Sequence, residues 1–561
     1  MLKRPRPRFL MMSFSIVAML MLILSACGAS GSSTTTTPSA GTPVKGGTWV
    51  DDFSQEPTSL LPNASSQTFA AMVDYGLYAP LVYGNYQGQL QPGIATAVPT
   101  LANGGISADL KTFTFHLRPN LVWSDGQPLN ADDVDFTWKL WNDPKFGAIY
   151  TVATSDITSA DVSTDKLTII FHLKDPLVSF VEWWADGYYA PMPKHHFEGM
   201  APDAIKKSAD NLNPSVVSGP FMMLENKTGD HITIQRNPKY YRASEGFPYL
   251  DKMVFRIVTD QNTILKDFQA GTITSSWFLD VSKTIAYEHL QNYKVVSDPS
   301  TFNFEALYFN FKNKVLANNP EVRKAMAMAV DQQAIIDVAR RGLGGKLCTE
   351  HTATQNPGYT AGITCPQLNP DIAGANTLLD QNGWVAGADG VRAKNGQRLE
   401  FQYSTTSGRL DRQDAQLINQ ANFKKIGIKV DIQNYPSSTL FGTFLLDQKP
   451  GVWDIVEFTT ANGYDPDSSA LFTCGLPTNP YCNPKMDAQY KAEQSSADPA
   501  VRQKAFDAIH QIELTDFPFI VLYSAPDVAV VRNGTHNFTP SLVGLGETIN
   551  LWNWWCDGGK C

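Results

Sequence analysis

Segments with strand-like and helix-like patterns alternate along most of this 561-residue chain, and that alternation restricts the fold more than any other feature. Alternating apolar and polar residues predict strands at 112–118, 166–173 and 251–258. Helix-like segments with clear start and stop residues stand between and after these strands. Because strands and helices follow one another in mixed order, the sequence predicts the α/β class.

Two helices are marked most clearly. The first is predicted to begin after Asn319, a candidate N-cap followed by proline, and to end at Gly342. The second is predicted from about Asp411 to Ile426, with a glycine that ends it before a strand at 428–432. About 515 residues follow the N-terminal segments, which is too many for one core, so two or three lobes are expected.

The N-terminal residues have the order of an export signal. A basic stretch, an apolar run over 9–24 and small residues before Cys27 follow one another as in a secretory signal peptide. A membrane-spanning helix is the alternative. A span needs about 20 apolar residues, however, and this run is shorter and contains two serines. The chain is therefore expected to be exported.

The sequence Leu24-Ser25-Ala26-Cys27 resembles the lipoprotein box of bacteria. This resemblance implies that the signal peptide at 1–26 is removed and that the Cys27 thiol carries a lipid. Residues 27–45 are predicted to form the lipidated cysteine and a flexible tether, because glycine, serine, threonine and proline dominate and little apolar surface can be buried. The lipid is the expected contact with the membrane.

Net charge argues against one class of partner. Four basic residues and no acidic residue precede Cys27, so the formal charge of −9 for the whole chain becomes −13 after the signal is removed. The field of such an acidic protein repels phosphate groups. No nucleic-acid partner is expected.

Six further cysteines fall into pairs that are close in sequence: Cys348 with Cys365, Cys474 with Cys482, and Cys556 with Cys561. An exported chain favours disulfides. Six cysteines allow 15 pairings, and the local pairing is preferred because neighbours meet most often as loops close. Zinc binding is the alternative, but none of these pairs has the two-residue spacing of a zinc knuckle.

Several segments carry a recognisable pattern in a fixed order: 113–134, 218–221, 236–241, 319–325 with 329–336, and 425–430. The first of them reads as a strand, a turn at Asp125-Gly126 and a helix capped by Asn130. Together they resemble the extracellular solute-binding proteins of family 5, the receptors for peptides, dipeptides and nickel. The resemblance implies a receptor that captures a solute and delivers it to the permease subunits of an ABC importer, and a monomer is expected.

The same resemblance implies a two-lobed fold of the periplasmic-binding-protein type, with a hinge and an extra subdomain inserted in the first lobe. The expected boundaries are 46–60, 215–305 and 525–561 for the first lobe, 61–214 for the subdomain and 306–524 for the second lobe. The ligand is expected to bind between the lobes and to favour their closure.

The resemblance also assigns ligand contacts to the segment 459–467. Peptide receptors of the family hold the ligand α-amino group with an aspartate, three residues before an acidic residue and proline. Here Asn462 takes that position, before Asp465. An amide can bind an ammonium group but cannot neutralise it, and charge-assisted hydrogen bonds are about twice as strong as neutral ones. Both residues are candidate substrate contacts.

A second difference concerns the ligand carboxylate. Dipeptide receptors of the family carry an arginine on the strand before the second predicted helix. This chain has Thr406 in that region, and Arg409 is the nearest cation in the sequence. Both are candidate contacts, but a dipeptide ligand is disfavoured, and longer peptides remain open.

Aromatic and amide side chains near the expected cleft complete the candidate substrate contacts, namely Trp277, Phe278, Tyr308 and Asn310. Aromatic platforms with polar partners suit sugars as well as peptides. A receptor for cello-oligosaccharides or another sugar is therefore the alternative within the same family.

Neither a cofactor, a metal nor catalysis is expected. The adjacent His195 and His196 suggest nickel, but the sequence does not place further ligands beside them. Motifs for a serine nucleophile, a zinc protease or a phosphate loop are missing from the sequence. A surface glycosidase that uses paired carboxylates, such as Asp132-Asp133 or Asp465 with Asp467, is the enzymatic alternative. A third hypothesis is a family member that signals or adheres without an importer.

Overall fold

The structure is a computed structural model that describes residues 41–185, 187–297, 301–355, 357–476, 479–539, 543 and 547–561. The predicted signal peptide at 1–26, Cys27 and most of the predicted tether lie outside these residues. Within the described ranges, no helix has both the length and the apolar character that crossing a bilayer demands.

The described residues form a seven-stranded mixed sheet from both ends and the middle of the chain. Its central strand, Thr48–Phe53, pairs in parallel with Ser275–Ser276 and with Lys252–Ile257, which confirms the strand predicted at 251–258. The outer strands are antiparallel and comprise Tyr293–Val296, Ala529–Arg532, His231–Arg236 and Phe221–Lys227. Trp49 and Trp554 pack in its core with ring centroids 4.7 Å apart.

A second sheet in the described part of the chain has five strands, in the spatial order Lys429–Ile432, Glu400–Ser404, Ile455–Thr460, Phe304–Phe309 and Phe519–Ser524. Helices Pro320–Ala329, Leu410–Lys425 and Pro499–Asp516 share one hydrophobic core with it. The predicted helix at 411–426 and the strand after it are confirmed. Gly427 ends that helix in the left-handed conformation, with φ of +74°.

A third sheet, again among the described residues, has three strands in the order Thr112–His116, Thr168–Leu173 and Ile157–Val162. Helix Ala131–Asn142 packs in the same core. Asn130 begins that helix as predicted, since its Oδ1 accepts from Asp132 N at 2.9 Å and its own N–H donates to Asp133 Oδ2 at 2.9 Å. The two aspartates thus serve the helix start.

Smaller elements join these sheets. Short strands pair as Val82–Gly84 with Leu90–Pro92, Val385–Ala386 with Arg392–Lys394, Arg392–Lys394 with Gln397–Arg398, and Thr535–His536 with Trp555–Cys556. Further helices are Thr68–Leu77, Gln261–Ala270, Ile372–Gln381 and Pro484–Gln494. Shorter ones are Val152–Ser155, Lys194–Phe197, Pro202–Ile205, Thr284–Glu288, Lys314–Asn318, Gln332–Ala334, Ser437–Thr439, Leu445–Asp447 and Ser469–Phe472. The α/β class is confirmed.

The six cysteines that the structure describes form the predicted local disulfides, Cys348–Cys365, Cys474–Cys482 and Cys556–Cys561. The first closes a loop beside the helix Pro499–Asp516, and the last ties the C-terminus to the strand Trp555–Cys556.

The prediction of one continuous helix between Asn319 and Gly342 is wrong. The first helix stops at Ala329, and a new helical stretch starts after Asp331, whose side chain accepts from Ala334 N. Asn319 also does not cap the first helix, because its Nδ2 donates backwards to Val315 O at 2.8 Å. Asp331 is therefore the helix-starting residue that the sequence interpretation overlooked.

Candidate functional site

The docking segment, residues 461–468, follows the strand Ile455–Thr460 of the five-stranded sheet. The ring of Tyr464 lies against Gly84, where an added Cβ would come within 1.8 Å of Tyr464 Cζ. Leu81 and Val82, which shortly precede Gly84, belong to the hydrophobic core of the three-stranded sheet. A glycine is thus required at this close approach, and the docking segment reaches a separately built part of the protein.

Hydrogen bonds support the same contact. The N–H of Asp465 donates to the Glu182 carboxylate, and the Ser179 hydroxyl donates to Asp467 Oδ2 at 3.3 Å. Ser179 and Glu182 follow the strand Thr168–Leu173 of the three-stranded sheet. Polar groups of the docking segment and of residues 179–182 therefore provide hydrogen-bond partners for each other, although they are far apart in the sequence.

Arg502 is the cation of a buried cluster beneath the docking segment. It donates to both carboxylate oxygens of Asp465, at 2.7 and 2.5 Å, and to Glu493 at 3.0 and 2.7 Å. Burial, together with the charges of Asp467 and Asp465, raises the pKa of Glu493 to about 10. Burial and Asp465 also raise the pKa of Glu182 well above its usual range. Both shifts favour the protonated form of these glutamates, and the guanidinium of Arg502 binds Asp465 and Glu493 together.

Asn462 lies at the start of the docking segment and is 7% exposed. Its Nδ2 donates to the backbone carbonyl of Glu350 at 2.8 Å. Because this bond fixes the orientation of the amide, the side chain presents Oδ1 as an acceptor. The Asn462 side chain therefore carries a hydrogen-bond acceptor without a negative charge.

Arg409 is held in a buried ion-pair network. Its Nε and Nη2 donate to Asp411 at 2.9 and 2.6 Å, and its Nη1 donates to the carbonyl of Phe278 at 3.2 Å. Arg340 also binds Asp411, at 3.0 Å. Burial alone would raise the pKa of Asp411, but Arg409 and Arg340 outweigh it and hold that pKa well below the usual range. The guanidinium of Arg409 is thus committed to protein partners.

The cation in contact with Thr406 is Arg412, which the sequence analysis did not identify. Its Nη1 donates to Thr406 Oγ1 at 2.7 Å, its Nε lies 2.8 Å from Glu305 Oε1, and its Nη2 donates to Thr459 Oγ1 at 3.0 Å. Arg409 is nearer in the sequence, but its side chain is turned to Asp411.

Trp277 and Phe278 lie in the core of the seven-stranded sheet, where their ring centroids are 5.2 Å apart. The guanidinium carbon of Arg409 lies 4.1 Å from the centroid of Phe278, within the range of a cation–π contact. The structure therefore brings Trp277, Phe278 and Arg409 together, and Arg412 connects Thr406 to the same cluster through its own contact with Phe278.

Tyr308 and Asn310 differ in position although they are neighbours in the sequence. The Tyr308 hydroxyl bonds to Thr460 Oγ1, directly before the docking segment. Asn310 directly follows the strand Phe304–Phe309, and its buried Nδ2 donates to the carbonyls of Gln448 and Trp453 at 3.2 and 3.0 Å. The Tyr308 side chain thus meets the last residue before the docking segment, whereas these two partners of Asn310 are not among the candidate residues.

The two neighbouring histidines have separate partners. His195 Nε2 lies 2.9 Å from Asp125 Oδ2, and His196 Nε2 lies 3.0 Å from Asp210 Oδ2. Each histidine bonds to a different stretch of chain, so the structure gives the pair a structural use.

Solved binding proteins share this fold over nearly their whole length. AppA of Bacillus subtilis, an oligopeptide-binding protein solved with a nonapeptide, superimposes with a TM-score of 0.84 at 23% identity and covers 92% of this chain and 100% of its own. The oligopeptide-binding protein of Thermus thermophilus, solved with a pentapeptide, gives 0.78 at 23% identity and covers 91% and 96%. The molecule is therefore a two-lobed protein of the periplasmic-binding type, as predicted.

Sequence comparison identifies the family. The family described as bacterial extracellular solute-binding proteins, family 5 middle, matches residues 89–481. This chain belongs to that family, which confirms the resemblance seen in its motifs. The oligopeptide-binding protein AppA of Bacillus subtilis (strain 168) is 27% identical over 499 residues, covering 86% of this chain and 87% of the relative.

Proposed function

We propose that this chain is the solute-capturing receptor of an ABC importer and that its cargo is an oligopeptide longer than a dipeptide. The peptide part rests on relatives that are named oligopeptide-binding proteins, two of which were solved with a nonapeptide and a pentapeptide. The length rests on Asn462 and Arg409, because the first is neutral and the second is occupied by Asp411.

The docking segment carries this proposal. It extends from the five-stranded sheet and touches Gly84 and Glu182 beside the three-stranded sheet. A ligand that contacts both Asn462 and the region around Gly84 and Glu182 would bind this closed arrangement more tightly than an open one. It would therefore shift the equilibrium towards the closed form. The closed form would then be the one that the permease accepts.

The proposed hinge lies where the chain passes between the large sheets. One passage precedes Phe304 and the other follows Ser524, close to the expected lobe boundaries. Asn303 Nδ2 donates to Asp527 Oδ2 at 3.0 Å, which joins the two passages. A pair of short, linked connections suits a hinge, because few backbone dihedrals would need to change.

Calorimetry with peptides of two to nine residues tests the cargo. We expect peptides of four or more residues to bind and dipeptides to bind at least about 10-fold more weakly, since each further residue adds backbone hydrogen bonds at about 0.5–1.5 kcal/mol each. Recovery of intact peptide after incubation would support a receptor, and turnover would support an enzyme. Binding of oligosaccharides alone would refute the peptide proposal in favour of a sugar receptor.

Asn462→Asp tests the amine contact. The carboxylate should raise affinity for peptides with a free α-amine by about 5-fold to 30-fold, because a neutral hydrogen bond becomes charge-assisted. The same peptides with an acetylated N-terminus are the control and should gain nothing. An equal change for both forms would remove Asn462 from the amine site.

We also propose that Cys27 carries the lipid that holds the mature chain at the outer face of the cytoplasmic membrane. The support is the order of basic, apolar and small residues before it. Labelling of cells with a fatty-acid analogue should mark the wild-type chain and not Cys27→Ser. Equal labelling of both would refute the assignment.

A further inference from the structure

Three buried side chains behind the docking segment have the arrangement of metal ligands. His351 Nδ1 and His510 Nε2 lie 2.9 Å apart. The Glu350 carboxylate oxygens lie 3.8 Å from the first nitrogen and 3.9 Å from the second. One ligand atom from each residue fits within 4.8 Å of the others, and all three side chains are at most 1% exposed.

These separations are close to those around a single ion. Zinc binds imidazole nitrogens at about 2.0–2.1 Å and carboxylate oxygens at about 2.0–2.2 Å. Two such nitrogens lie about 2.9 Å apart when they subtend a right angle at the metal and about 3.4 Å apart in a tetrahedron. The nitrogens of His351 and His510 are within that range, and the Glu350 oxygens need to approach by less than about 1 Å.

The outer hydrogen bond of His351 locates its proton. Its Nε2 lies 2.7 Å from the carbonyl oxygen of Pro466, which can only accept. Nε2 therefore carries the proton, and Nδ1 of the neutral ring presents a lone pair towards His510.

The same reasoning applies to His510. The Thr360 hydroxyl donates its one proton to Asp507 Oδ1 at 2.7 Å. Its oxygen then accepts from His510 Nδ1, which lies at 2.6 Å. Nε2 of the neutral ring is left with a lone pair, so two lone pairs face each other at 2.9 Å.

Either a further proton or a cation must lie between these nitrogens. The Glu350 carboxylate beside the two nitrogens supplies a third ligand atom for a cation. The buried Glu350 carboxylate accepts from the Ser468 hydroxyl at 2.7 Å and bonds to the buried Glu513 carboxyl, and its Oε2 lies 3.9 Å from His510 Nε2. On the outer side of each ring, His351 bonds to the carbonyl of Pro466, and His510 bonds through Thr360 to the carboxylate of Asp507. Hydrogen bonds of this kind commonly orient metal-binding histidines.

We propose that Glu350, His351 and His510 bind a divalent transition-metal ion, with zinc as the expected occupant. Two imidazoles and one carboxylate suit zinc, copper or nickel better than magnesium or calcium. This differs from the sequence-based expectation of no metal. The ion would also brace the docking segment, since Glu350 O holds Asn462 and Pro466 O holds His351.

Zinc titration of the chelator-treated mature chain at pH 7 tests the site. Calorimetry and elemental analysis after gel filtration should give one zinc per chain. His351→Gln and His510→Gln should each weaken binding by at least about 100-fold, because a ligand is lost from a three-residue site. His195→Gln is the matched control, since this half-buried histidine bonds to Asp125, and it should bind zinc like the wild type.

Circular dichroism and thermal unfolding establish that each variant is folded. If a histidine variant is not folded, Glu350→Gln replaces it, because glutamine keeps an acceptor for the Ser468 hydroxyl, now at 2.7 Å. Cobalt in the wild-type chain should give visible absorption that the variants lose. Failure of the wild type to take up one zinc, or unchanged affinity in folded variants, would overturn the site. Peptide binding is not a readout, so this result stands apart from the proposed cargo.

Discussion

Replacement of Arg502 by glutamine removes the cation that binds both Asp465 and Glu493 beneath the docking segment. The arginine side chain is 7% exposed, and its hydrogen bonds to these carboxylates measure 2.5–3.0 Å. Loss of one partner from a buried ion pair costs about 3–5 kcal/mol, because the remaining charge stays desolvated. Glu493 already holds a proton, so the penalty falls on Asp465 alone, and we expect about 3 kcal/mol.

Urea unfolding of both proteins at neutral pH gives this difference in the free energy of unfolding. Lys491→Gln is the control, because its pair with Asp175, at 3.2 Å, has side chains 64% and 33% exposed and should contribute only about 0–1 kcal/mol. Asp465→Asn in the Arg502→Gln background should recover part of the loss, since it removes the unpaired charge. A cost for Arg502→Gln no larger than that of Lys491→Gln would refute the reasoning.

Three further substitutions test the docking segment, a helix start and the pH dependence of stability. Gly84→Ala should displace the ring of Tyr464 and reduce the compaction that a bound peptide causes in X-ray scattering; equal compaction would contradict the closed contact. Asn130→Ala should cost about 1 kcal/mol in urea unfolding, because the capping box is lost, and an unchanged midpoint would show that the box contributes nothing. The folded pKa of Glu493, about 10, is raised, so its contribution to stability is complete below the unfolded pKa near 4.3 and is lost as pH rises towards 10. The free energy of unfolding should therefore fall less steeply between pH 5 and 9 in Glu493→Gln than in the wild type, by at most about 1.4 kcal/mol per pH unit. Parallel curves of unfolding free energy against pH for the two proteins would contradict this.

Local structure was predictable where neighbouring residues decide it. Asn130 lies within three residues of its capping partners, and Gly427 adopts the left-handed conformation that ends a helix. The prediction of one helix from Asn319 to Gly342 was wrong because Asp331 offers a competing cap within it, which starts a second helix. Periodicity alone carried no sign of that interruption.

The ligand contacts of the candidate site stay predictions, and most of the protein partners of these residues could not be predicted from the sequence. The family resemblance led to Asn462 and Asp465, and both lie on the docking segment. Glu182, which accepts from Asp465, is 283 residues away, and no local pattern joins residues so distant. Arg412 could have been found, since it lies in the first turn of the helix predicted from about Asp411, next to the candidates Thr406 and Arg409 in the sequence.

The docking segment joins the part of the protein that contains the five-stranded sheet to the part that contains the three-stranded sheet. These contacts can form and separate again. An interface built like a domain core would hold a receptor shut, because every apolar area removed from water on closure must be exposed again on opening. Here the contacts are a tyrosine ring on Gly84, the Asp465–Glu182 hydrogen bond and the Ser179–Asp467 hydrogen bond. Polar groups of this kind regain water when they separate, so their net contribution is about 0.5–1.5 kcal/mol each. A contact of that strength would leave the balance between open and closed forms to the ligand, as the proposed capture and release require.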